Sequence, residues 1–147
     1  MKSQSTLAHL RSEVLKKGYS LEQIESIYAL GQLYLETGNL RQASVIFDGL
    51  IHLVPNLAPA SIGQAIIALF ERDFMQGAAA ARRASESDSQ VAEATLLLVI
   101  AMFGLGDYNS AGTYLGEIRE AMESGIEFDK NVVRVYRMLI ARYRSRA

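Results

Sequence analysis

The sequence predicts an all-α fold of stacked helical hairpins, and three observations predict it. Turn-forming triplets recur at one fixed interval: Gly38-Asn39-Leu40, Arg72-Asp73-Phe74 and Gly106-Asp107-Tyr108, each 34 residues after the last. Small residues follow on the same ladder at Ala43, Gly77 and Ala111, where two helices must approach closely. The apolar residues on either side of each turn keep the 3.6-residue spacing of an amphipathic helix. A helix–turn–helix unit repeated at this period cannot bury its apolar face alone, so it stacks on its neighbours.

The elements follow in order. Leu7, Leu10, Val14 and Leu15 form one face of a flanking helix over about 5–17. The first repeat, about 24–57, is entered through a capping box in which Ser20 caps the helix and Gln23 reaches back. Ile27, Leu30, Gly31 and Tyr34 lead to the turn, then Ala43, Phe47 and Leu50 continue, and Pro55 closes the unit. In the second repeat, about 58–91, Pro59 suits a first helical turn. Ile62, Ile66, Leu69 and Phe70 supply its apolar positions. Its second helix, Met75 to Ala84, is rich in alanine, a strong helix former that leaves little side chain between neighbours. Ser87 and Gln90 offer another capping box. The third repeat, about 92–124, regains Gly106, Tyr108, Ala111 and Leu115. After a break at Gly125, Asp129 caps a last helix over about 129–146, with Val132, Tyr136, Leu139 and Tyr143 as its apolar stripe. One domain, 1–147, accounts for the whole chain.

These residues resemble the tetratricopeptide repeat. The first unit gives the consensus order of Leu30-Gly31, an aromatic at Tyr34, the turn, Ala43, Phe47 and Pro55. The resemblance implies a helical solenoid of three repeats with flanking helices at both ends. It also implies a concave surface lined by the second, fifth, ninth and twelfth positions of each first helix. Those positions are Glu25, Tyr28, Gln32 and Leu35, then Pro59, Ile62, Ile66 and Leu69, then Glu93, Leu96, Ile100 and Phe103. With Phe70 beside them, Tyr28, Leu35, Ile62, Ile66, Leu69, Leu96, Ile100 and Phe103 are the candidate peptide contacts. Two readings of this stripe stand open. Apolar residues at helical spacing pack into a core, or they line a groove with pockets for an apolar peptide.

A narrower resemblance comes from Leu21-Glu22-Gln23 at the head of the first repeat, the three repeats, and the final helix after Glu127-Phe128. The chain is similar to the small tetratricopeptide chaperones of bacterial type III secretion, especially those that hold hydrophobic translocator proteins. This implies a cytoplasmic bacterial chaperone whose groove holds an apolar segment of an export client. Chaperones of a needle or export-apparatus subunit, and a structural adaptor in a larger assembly, are the alternatives.

Composition narrows the classes further. Residues 1–18 carry a net +3, residues 19–129 a net −10 and residues 130–147 a net +6, for an overall −1. No broad basic face gathers phosphates, so nucleic acid is not an expected partner. The longest uncharged apolar stretch, Ala94 to Gly106, is 13 residues, short of a membrane span. Met1 to Leu15 lacks the apolar core of a secretory signal. The absence of cysteine removes disulfides and thiol chemistry. His9 and His52 have no second ligand at helical spacing, and Gly104-Leu105-Gly106 is a helix end without the Lys-Ser of a phosphate loop. No carboxylate pair stands in an apolar pocket, so a catalyst with a metal or cofactor is not expected. A carboxylate clamp for acidic tails needs Lys and Asn where Tyr28, Gln32, Ile62, Ile66 and Leu96 stand. Arg134, Arg137, Arg142, Arg144 and Arg146 suit a helix C-terminus, or they meet the acidic body of another copy as a homodimer. Leu7, Leu10 and Val14 serve a cap or a dimer equally well.

Overall fold

The structure, a computed structural model, describes residues 17–86 and 91–146, and all its elements are helices. They are α1 (Leu21–Glu36), α2 (Leu40–Leu53), α3 (Ala58–Phe70), α4 (Phe74–Ser85), α5 (Val91–Leu105), α6 (Tyr108–Glu123) and α7 (Lys130–Ser145). All but the last residue of the expected helix over about 5–17, His9, and the capping box at Ser87 and Gln90 lie outside the described residues.

The 34-residue ladder is a ladder of backbone geometry. Gly38, Arg72 and Gly106 all take left-handed φ values, +80°, +62° and +76°. Each is followed by an N–H that reaches five residues back: Asn39 to the Tyr34 carbonyl at 2.8 Å, Asp73 to Ala68 at 2.8 Å and Asp107 to Met102 at 2.9 Å. This Schellman closure satisfies carbonyls that a helix end leaves open. The same residue then starts the next helix. Asp73 accepts from the Gln76 N–H at 3.2 Å, and Asp107 accepts from the Ser110 N–H at 3.1 Å. Asn39 differs, because its amide donates to Thr37 Oγ1 at 2.9 Å instead of capping α2.

Other helix boundaries are fixed by equally local chemistry. Ser20 Oγ accepts from the Gln23 N–H at 3.1 Å while Gln23 Oε1 accepts from the Ser20 N–H at 2.8 Å, the expected capping box. Asp129 caps α7 by accepting from the Asn131 N–H at 2.8 Å. Lys17 Nζ donates to the Leu53 carbonyl at 2.6 Å, placing a cation at the end of α2, where His52 also sits.

Consecutive helices pack against one another through short connections and therefore run antiparallel. Contacts also join α1 to α3, α3 to α5 and α5 to α7, so the odd-numbered helices form one layer. Burial repeats with the turns. Ala43, Gly77 and Ala111 are buried, as are Phe47, Ala81 and Leu115, and Leu50, Ala84 and Ile118, each set spaced by 34. Two cores result. The first gathers Ile24, Ala43, Phe47, Leu50, Val54, Ala60 and Ile67 from α1–α3 and the α2–α3 connection. The second runs from Ala65 through the alanines of α4 to Leu98, Leu115, Val132 and Leu139. At the centre of the first, Phe47 lies between two glycines: a Cβ at Gly31 would come within 2.9 Å of its ring and one at Gly63 within 2.5 Å.

Candidate binding face

Equivalent positions on α1, α3 and α5 lie side by side because the three helices share one layer and one register. The nine candidates do not share one environment, however. Ile62 and Ile66, one turn apart on α3, are partly exposed and belong to neither buried cluster nor to the residues packed on them. Phe70, at the end of the same helix, is 70% exposed. Leu69 packs on the second core and lies against Gly77 of α4, where a Cβ would meet its Cδ2 at 2.8 Å.

At the α1 end, Tyr28 and Leu35 are half-buried against the first core. The Tyr28 ring meets that of Phe47 at 6.0 Å between centroids, tilted by 47°. Burial raises the Tyr28 phenol above its ordinary range, and the nearby Glu36 carboxylate adds to the shift, so the hydroxyl stays neutral and available as a donor.

At the α5 end, Leu96 is 4% exposed and belongs to the second core, which leaves a ligand no access to it. Ile100 and Phe103 are half-buried on the same core. Phe103 is also flanked by Tyr108 at 5.7 Å between ring centroids and covered by the Arg142 guanidinium at 5.9 Å. Arg146 likewise stacks on Tyr143 at 4.2 Å and Tyr108 at 5.4 Å. Two of the C-terminal arginines thus hold aromatic rings of their own chain, a role that helix spacing does not announce. Tyr28, Leu35, Ile62, Ile66, Ile100 and Phe103 are all intermediate in burial, and of these only Ile62 and Ile66, on α3, pack on neither core.

On the opposite side, α2, α3 and α4 enclose a polar cleft of about 200 Å³. Gln64 Nε2 donates to Asp48 Oδ1 at 2.7 Å, and Arg83 Nη2 donates to Gln64 Oε1 at 3.1 Å. These residues are 16 and 19 positions apart and follow no motif, so no local pattern announces the network. No cluster of three or more His, Asp or Glu side chains placed to hold a metal occurs among the described residues. None of the described helices is long and apolar enough to cross a membrane.

No protein-family model matches the chain, and no curated protein matches it.

Proposed function

We propose that the chain is a tetratricopeptide-type solenoid that acts as a non-catalytic protein-binding module. In this reading it is a bacterial cytoplasmic chaperone of type III secretion holding an apolar segment of an export client. The observation that carries the binding reading is the pair Ile62 and Ile66, apolar and partly exposed at the middle of the odd-helix layer, outside both cores. Apolar side chains that add little to their own core are available to a ligand. The recurrence of left-handed turns and buried small residues at 34-residue intervals supports the repeat assignment. The secretion role rests on the resemblance of the sequence.

The mechanism is coverage by mass action. A client segment laid across α3 removes apolar surface from water at roughly 25 cal/mol per Å² and is kept from aggregating while bound. Ile62 and Ile66 form the floor, Tyr28 and Leu35 one end, and Ile100 and Phe103 the other.

Capture of the tagged protein from its own cells, beside an Ile66→Asp variant, tests this reading. The expected result is one abundant partner with an apolar segment, lost in the variant, with the variant's melting temperature close to the parent's. Partners that survive the substitution, or a sharply lowered melting temperature, would show that Ile66 serves the outer surface or the core instead.

A further inference from the structure

Among the described residues, the helix at each end of the stack has one uncovered side, and the two sides are chemically opposite. Helices α3 and α5 are packed by preceding and following elements, whereas α7 packs mainly on α5 and α6 among the described residues. Val132 and Leu139 are the buried residues of α7. About half a turn round the helix from them, Lys130, Arg134 and Arg137 are exposed, and Met138, about a third of a turn away, is exposed beside them. Together with Phe128 and Val133 they line a depression of about 470 Å³, apolar in its floor and cationic at its rim. Helix α7 contains no acidic residue, and none of its three rim cations joins an ion pair among the described residues.

Helix α1, at the other end of the described residues, packs mainly on α2 and α3. Its uncovered face carries Leu30, 42% exposed, and Leu33, 55% exposed, beside the exposed carboxylates of Glu22, Glu25 and Glu36. Helix α1 contains no Lys or Arg. We propose that the outer face of α7 docks on the outer face of α1 of a second copy of this chain, head to tail. Met138 and Phe128 meet Leu30 and Leu33, and the arginines meet the glutamates. Residues 1–18 are net +3, so the chain's own N-terminal segment is repelled by the α7 face; were it to cover the acidic α1 face instead, the wild type would stay monomeric. Since the two faces differ, each added copy leaves one of each uncovered, and the assembly extends unless its rotation closes a ring.

Sedimentation velocity from micromolar to submillimolar protein, at low and high salt, tests the proposal. The wild type is expected to gain mass with concentration at low salt and to lose it at high salt. Arg134→Glu with Arg137→Glu, and separately Glu22→Lys with Glu36→Lys, should each give a monomer. Mixing the two variants should restore assembly, because each reversed face then meets an opposite charge on the other variant. All four positions are exposed, and circular dichroism of each variant checks its helix content. If either reversal unfolds the chain, the corresponding Gln variants take its place. A wild type that stays monomeric throughout, association that survives either reversal, or a mixture that fails to assemble overturns the proposal.

Discussion

Gly63→Ala puts helix propensity against packing, and the structure determines which wins. Gly63 lies inside α3 with ordinary helical backbone, where alanine would gain about 0.5–1 kcal/mol if nothing stood in the way. The added Cβ, however, would come 2.5 Å from Phe47 Cε2 and 2.7 Å from Cδ2 and Cζ, about 1 Å inside ordinary contact. The ring cannot swing away freely, because a Cβ built at Gly31 on α1 would also lie within 2.9 Å of it. Phe47 is fully buried, so a shift displaces Leu50 and Ala43 with it. Overpacking of this kind costs about 1–3 kcal/mol, which exceeds the propensity gain. The expected net loss is about 1–2 kcal/mol, read as a fall of several degrees in the thermal midpoint by circular dichroism. Phe47→Leu in the same chain should recover part of that loss relative to Phe47→Leu alone, a coupling visible in a double-mutant cycle. An unchanged or raised midpoint for Gly63→Ala would refute the packing argument.

Two further outcomes follow from the turns. Gly106→Ala should destabilise by about 1–2 kcal/mol through its left-handed φ of +76° alone, since its Cβ would meet nothing within 4 Å, whereas Arg72→Gly should raise the midpoint in urea by a smaller margin because the stacking on Phe74 is lost. Asp107 has its carboxyl held below the ordinary range by hydrogen bonds from the Ser110 hydroxyl and N–H, so its contribution is present above the unfolded carboxylate range and is lost as pH falls through the folded value; the melting-temperature gap between wild type and Asp107→Ala should therefore close in acid.

The features legible in the sequence were those encoded by neighbours in the chain. The triplets at 38, 72 and 106 mark the left-handed residues, Ser20 and Gln23 form their capping box, and Pro59 stands in the first turn of α3. The candidate face was less legible, for a definite reason. Helix α5, from Val91 to Leu105, is apolar almost all round, so periodicity cannot say which side of it meets solvent. The register sets Leu96 beside Tyr28 and Ile62, yet packing between α4 and α6 encloses it. Phe103 is covered by Arg142 and Phe47 is clasped by Gly31 and Gly63, contacts between residues distant in sequence that no local pattern records.

Helix α3 is the party wall of the molecule. Ala60 and Ile67 belong to the core on one side and Ala65 to the core on the other, while Ile62 and Ile66 belong to neither. A disturbance of α3 therefore loosens both halves together, whereas one confined to α1 or α7 loosens the near half first. The converse holds for anything that grips Ile62 and Ile66. By holding α3 in its helical form it slows amide exchange in α2 and in α5 alike, so a ligand touching a single helix is felt as rigidity at both ends of the stack.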